Sequence, residues 1–228
     1  MPAIVDQLIR SKRKTIAILI QRDGKVIVRA PLKTSERVIN AFVESKSTWI
    51  SEKKALAQQR VSNPIRQFIN GEKLPLLGKQ ITLRLVEDHT QRTALTLQNE
   101  FLLTKKAQTQ AAGIFEKWYK AYAAQIITER VKFHAAQFGF HYEKIRITSA
   151  RTRWGSCSSR GTLSFTWRLV MAPLEVVDYV VIHELAHLKI KNHSAVFWAE
   201  VGRLMPAYQS RRDWLKKNGH LMTLTGEE

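Results

Sequence analysis

The chain has 228 residues, enough to bury a core in one large or two small domains, and its single cysteine, Cys157, excludes an internal disulfide. No apolar run of about 18 residues could span a bilayer, and Met1-Pro-Ala-Ile-Val-Asp-Gln7 lacks the basic-then-apolar layout of a secretory signal, so the expectation is a cytoplasmic protein without a membrane partner. Basic residues outnumber acidic ones 37 to 19, a formal charge of +18 spread over both halves; such a surface attracts polyanions, nucleic acid and nucleotides among them, although no nucleic-acid motif is present.

In chain order, Thr15–Ile20 and Lys25–Arg29 are β-rich runs either side of Asp23-Gly24, the pattern of a hairpin, with Pro31 as its end. From a cap at Ser35, Val38, Ile39, Phe42, Val43, Trp49 and Ile50 recur at helical spacing to residue 59, and Asn63-Pro64 breaks the pattern. A tight turn around Asn70-Gly71 precedes strands at Ile81–Val86 and Thr93–Leu97, with a third at Glu100–Leu103. The composition turns polar between Lys105 and Gln110, which places a boundary near 108: a mainly β module with one helix over 1–108, and a second domain over 109–228. That second domain opens with a helix from Ala111 to Phe138, stopped by Gly139, with a stripe of Phe115, Trp118, Tyr122, Ile126, the Arg130 stem and Phe133. Strands at Lys144–Thr148 and Thr162–Trp167 follow, joined by a Gly- and Ser-rich connector from Arg151 to Gly161. A helix begins at Ala172-Pro173, another is capped by Ser194, Pro206–Tyr208 turns the chain, and a short helix over Arg211–Lys217 stops at Asn218-Gly219. The fold class is α+β.

The stretch Tyr179–His193 contains His-Glu-x-x-His at His183, Glu184 and His187. Residues four apart share a helix face, so the two imidazoles can meet one ion. Glu184 lies about 100° round the axis, where its carboxylate reaches a metal-bound water. The preceding Val176, Val177, Val180 and Val181 bury the helix, as a rigid site requires. A catalytic zinc usually takes three protein ligands and keeps one position open. His193 is the first choice for the third, delivered by a helix end at Lys191-Asn192; Glu200, one helix onward, is the rival. The connector before this helix offers Arg153 and the backbone around Gly155 as substrate contacts.

These residues resemble the YgjP-like metallopeptidase family, which is related to SprT-type and WLM-type zincins. The similar pieces are Arg153–Cys157, Leu163–Pro173, Asp178–His187, Asn192–Ser194 with Phe197-Trp198, and Pro206 with Tyr208. The resemblance implies an N-terminal β-rich module followed by a minimal zincin-like domain: a backing helix, a small sheet and an active-site helix. It implies Zn²⁺ on His183, His187 and His193, with Glu184 as general base. It assigns an edge strand at Leu163–Trp167, including Ser164 and Phe165, to pair with an extended peptide, and it suggests Tyr208 as an oxyanion stabiliser. Ile190 stands where the long metzincin motif has glycine, so a different turn must deliver His193. The expected function is zinc-dependent hydrolysis of a peptide or protein. The alternatives are a metal-dependent nucleotide or phosphoanhydride hydrolase and a DNA-associated protease of SprT type. Cys157, near such a site, is either a small buried residue or a thiol able to reach the metal.

Overall fold

The computed structural model describes residues 4–21, 24–59, 66–87 and 92–224, and its contacts divide the chain into two units, Met1–Ser62 and Asn63–Glu228. In the first unit, strands β1 (Gln7–Ser11), β2 (Ala17–Ile20) and β3 (Val26–Pro31) form a sheet in which β3 is central. The expected hairpin is the antiparallel pair of β2 and β3, with Gly24 at a positive φ of 84° in the turn; Asp23 lies outside the described residues. Strand β1, which adds in parallel, has no alternation in Gln-Leu-Ile-Arg-Ser to announce it. The expected helix from Ser35 is two helices, α1 (Glu36–Glu44) and α2 (Ser47–Gln59). Ser35 caps α1 as its sequence suggests, and Ser45 ends it by donating its hydroxyl back to the Phe42 carbonyl at 2.7 Å. Ile39, Val43 and Ile50 then meet Val26, Val28 and Ala30 in a small core. Asn63-Pro64 lies outside the described residues.

Among its described residues the second unit holds two sheets and four α-helices. Strands β4 (Lys73–Leu76), β5 (Lys79–Val86), β6 (Leu95–Leu97) and β7 (Phe101–Thr104) are ordered β4-β5-β7-β6. The helix α3 (Ala111–Phe138) follows, ending at Gly139 in the left-handed conformation, as expected of a glycine stop. The division of contacts falls at 62/63 and not near 108, for a physical reason. Phe68 and Phe101 pack on Phe115 of α3, with ring centroids 5.2 and 5.1 Å apart. The buried Tyr119 hydroxyl of α3 also donates to the Pro75 carbonyl at 2.6 Å. The polar segment 105–110 is a 3-10 turn on the flank of one continuous core, not a linker.

The buried stripe of α3 runs Ala111, Phe115, Tyr119, Ala123, Ile127, Val131 and Ala135, rotated from the expected one after Phe115. Trp118, Tyr122 and Ile126 lie on its shoulder, and Phe133 is 54 % exposed. Apolar residues surround most of this helix, so periodicity alone does not set its phase. The alanines face the neighbouring elements and leave room for them. Arg130, expected to pack by its stem, clasps Asp178 with two hydrogen bonds of 2.5 and 2.8 Å, and His134 Nε2 lies 3.1 Å from the same carboxylate.

Strands β8 (Lys144–Thr148), β9 (Gly155–Cys157) and β10 (Thr162–Thr166) form the second sheet in the order β8-β10-β9. Strand β10 was expected at the edge. It is central, parallel to β8 and antiparallel to β9, so Ser164 is paired across to both Arg146 and Ser156 and Phe165 is fully buried. The edges belong to β8 and to β9, the latter a strand of three residues inside the connector that reads as a loop. A 3-10 segment, Trp167–Met171, leads to α4 (Leu174–Ala186), followed by α5 (Ala195–Leu204) and α6 (Tyr208–Asn218). The turn between β4 and β5 hydrogen-bonds this segment, Leu77 N–H donating to the Val170 carbonyl at 2.7 Å. No helix among the described residues is long and apolar enough to cross a membrane.

Arg130 and Asp178 tie α3 to α4 along the back of the latter. Burial by itself would push the Asp178 carboxyl up; the hydrogen bonds from His134 and Arg130, with their charges, outweigh it and hold the carboxyl below its ordinary range. Asp178→Asn is expected to destabilise the protein by about 2–3 kcal/mol at neutral pH in denaturant unfolding, because it leaves Arg130 partly desolvated and unpaired. The stabilisation is complete above the ordinary value of 3.8 and is lost as pH falls through the depressed one, so parent and variant stabilities should converge in acid.

Candidate metal centre

Helix α4 is apolar on nearly every side, with Val176, Val177, Val180, Val181, Ile182 and Leu185 all buried; apart from Asp178, which Arg130 meets, its buried ionisable groups stand in its last turns. The helix ends at Ala186, earlier than the expected stop at Lys191-Asn192. Backbone bonds from Lys189 and Ile190 to the Ala186 carbonyl, 3.1 and 3.0 Å, close the turn. Ile190 then presents its own carbonyl to His187 Nδ1 at 2.9 Å. A side chain is no obstacle at this turn, which explains why Ile190 can replace the metzincin glycine. The Nδ1 bond leaves His187 Nε2 without a proton and aims it outward.

The chain then runs to Ser194, which caps α5 by accepting from Phe197 N–H at 3.5 Å, and His193 just before the cap turns back on the helix. His193 Nε2 lies 3.1 Å from His187 Nε2 and 3.0 Å from His183 Nε2. Phe197 is the floor beneath all three rings, stacked on His187 at 4.3 Å between centroids and 4.9 and 5.0 Å from those of His183 and His193. These three histidines are the one group of metal-ligating type found among the described residues. Glu200 points elsewhere and holds Arg203 with hydrogen bonds of 2.8 and 3.0 Å. The Cys157 thiol donates to the Ser158 carbonyl, and burial pushes it up against the pull of the Lys191 charge, so it stays a thiol.

The donor set suits a divalent cation. Nitrogens 3.0–3.1 Å apart approach the edge of roughly 3.3 Å expected for imidazoles around a tetrahedral zinc. So close a set needs a proton or a cation between its lone pairs. Burial, then the charges of His187, His193 and Arg212, push His183 down to about 3, so it stays a neutral imidazole with a lone pair free for a ligand. His187 is also pushed down, by burial first.

Glu184 is 4 % exposed and its Oε2 has no partner. Burial pushes its carboxyl up to about 8, with the Arg153 charge pulling the other way. Gly155 of β9 lies directly on it: a Cβ built there would meet Glu184 Oε1 at 2.5 Å and Cγ at 2.6 Å. The absence of a side chain at 155 is therefore a condition for the position of Glu184. Arg153 is exposed just before β9 and lines a small polar hollow with Gly155 and Ser164.

Beside His183 and Glu184 opens a recess of about 290 Å³ lined by Trp154, Gly155, Tyr179, Val180, Arg212 and Leu215, with Lys216 at its margin. Tyr208 does not line it; its ring stacks between Trp198 and Tyr179, at centroid distances of 5.6 and 6.5 Å. Tyr179 is the tyrosine that faces the recess, its phenol pushed up to about 12 by burial. Sequence reasoning passed over it, although Tyr179, His183 and His187 stand at successive four-residue steps on one helix face. Arg212 and Trp154 carry no comparable signal.

Gly155→Ala is expected to cost about 1–3 kcal/mol in denaturant unfolding, since the methyl must displace a buried carboxylate. Adding Glu184→Ala should recover most of that loss, and a neutral Gly155→Ala would contradict the contact.

The sequence model of the family described as YgjP-like, metallopeptidase domain, matches residues 14–218. No curated protein matches the chain. Among solved structures, the crystal structure of the metallopeptidase zymogen of Pyrococcus abyssi abylysin is 26 % identical over 40 % of this chain and 93 % of its own, with a TM-score of 0.36. That of Methanocaldococcus jannaschii jannalysin, also a metallopeptidase zymogen, is 25 % identical over 42 % and 96 %, with a TM-score of 0.36. A metallopeptidase works with a divalent metal, and the three imidazoles are where this chain can hold one. With a family model spanning residues 14–218 and the His-Glu-x-x-His helix inside that range, the chain belongs to the YgjP-like metallopeptidase family.

Proposed function

We propose that the protein is a zinc peptidase in which His183, His187 and His193 hold the metal and Glu184 is the general base. The observation that carries the reading is the convergence of three imidazoles, His193 Nε2 lying within 3.1 Å of both His183 and His187 Nε2, with a buried, unpartnered carboxylate one residue along the same helix. Zinc bound there would bring the pKa of its water towards about 7 and polarise a carbonyl. Glu184 takes the proton of the attacking water and returns it to the leaving amine, a task suited to a carboxyl that burial makes more basic. Tyr179, protonated at neutral pH, is the donor in the recess for charge developing on the carbonyl oxygen, and Tyr208 backs it by stacking.

An extended peptide adds to the free side of β9, with Gly155, Ser156 and Arg153 along its path. This edge, next to Glu184, favours a peptide over a nucleotide as substrate.

Glu184→Gln is expected to keep the metal while lowering peptide hydrolysis by roughly 10³-fold or more. A strong chelator should abolish both binding and turnover, and readdition of zinc should restore them. Cleavage by the Glu184→Gln variant at the parent rate would contradict the scheme.

A further inference from the structure

The recess beside His183 and Glu184 has a chemical character of its own. Its floor is Val180, His183 and Glu184 of α4, and one wall is Trp154 with Gly155. The opposite wall is a single face of α6, where Arg212, Leu215 and Lys216 stand at i, i+3 and i+4. The far end is shut by contact between Trp154 and the C-terminus of α6: a Cβ on Gly219 would lie 2.6 Å from Trp154 Cζ2. At roughly 30 Å³ per water, the volume of about 290 Å³ holds one side chain with a few waters.

The apolar surfaces of Trp154, Val180 and Leu215 suit an aliphatic stem, and two cations wait beside them. The Arg212 guanidinium is stacked over Trp198 at 4.4 Å and is hydrogen-bonded by no carboxylate among the described residues. Its charge reaches both Tyr179 and His183, which places it towards the recess. Lys216 pairs with Asp213 at 2.8 Å, but both side chains are more than 60 % exposed, so that pair yields readily to a better partner. Glu184 is the one carboxylate lining the recess. On the β9 side of the cleft Arg153 adds a further cation, its charge reaching Glu184.

We infer that this recess selects a carboxylate of the peptide substrate close to the scissile bond, with Arg212 and Lys216 as its specificity-determining residues. The inference rests on the peptidase reading for its meaning, but the pocket can be probed without turnover. The carboxylate is either a glutamate side chain, with its methylenes against Val180 and Leu215, or the terminal carboxylate of a short peptide. Both present the same anion to the same two cations.

The test uses the metal-loaded Glu184→Gln protein and fluorescent, otherwise uncharged peptides. One Glu or Gln is walked through successive positions, and each peptide is made with a free or an amidated C-terminus. Glu is expected to bind about tenfold tighter than Gln at one position, with the preference shrinking as salt is raised. A preference seen only between acid and amide would assign the pocket to the chain terminus. The preference should vanish in Arg212→Ala/Lys216→Ala and survive in Arg212→Lys/Lys216→Arg; both pairs lie on the exposed face of α6 and spare the core. Equal binding of all peptides, no binding, or a preference that survives the alanine pair would overturn the pocket assignment. The same peptides given to the parent protein test the peptidase reading separately. Cleavage without preference would sink the pocket alone, and preference without cleavage would sink the hydrolytic reading alone.

Discussion

The desolvation of the last two turns of α4 sets the terms for everything around them. A helix buried on nearly all sides, its Asp178 met by Arg130, also carries Tyr179, His183, Glu184 and His187 into the same dry surroundings. Placing such groups there costs free energy unless something compensates. His183 is held neutral and Glu184 is pushed towards its protonated form because of that burial. The unpartnered Glu184 Oε2 and the three crowded Nε2 atoms are the remainder, and a divalent cation with its water accounts for both.

The supports of this turn come from every part of the second unit. Phe197 carries the imidazoles from below, the Ile190 carbonyl fixes the tautomer of His187, and Gly155 lets the edge strand lie against Glu184. Behind the helix, Arg130 and Asp178 tie α4 to α3. Apart from Gly155, none of these groups needs to touch a substrate, and each decides where a group that does so will stand. The recess on the open side adds the two cations of α6, so a net charge that looked diffuse in composition has a local expression at the cleft.

Much of the site was legible because the relevant signals are local. The spacing of His183, Glu184 and His187 is a property of one helix, and Ser194 announces the next helix and hence the turn that returns His193. Helix α3 was readable to its ends for the same reason, with Gly139 as its stop. What failed was non-local. The phase of α3 depends on which neighbours need room, which made alanines and not tryptophan the buried residues. Strand β9 is three residues long and exists only because β10 pairs with it, so a Gly-Ser connector gave no hint that it owned an edge. The polar stretch near 108 resembled a linker, yet aromatic packing across it joins both sides into one core. Arg212 faces the cleft only because α6 folds back over α4, a contact that no spacing encodes.

The central claim is that three histidines on two elements make one metal centre. Elemental analysis of the purified parent, His193→Ala and Glu200→Ala proteins tests it most directly. About one zinc per chain is expected in the parent and in Glu200→Ala, and little or none in His193→Ala. Zinc retained by His193→Ala, or lost from Glu200→Ala, would contradict the centre described.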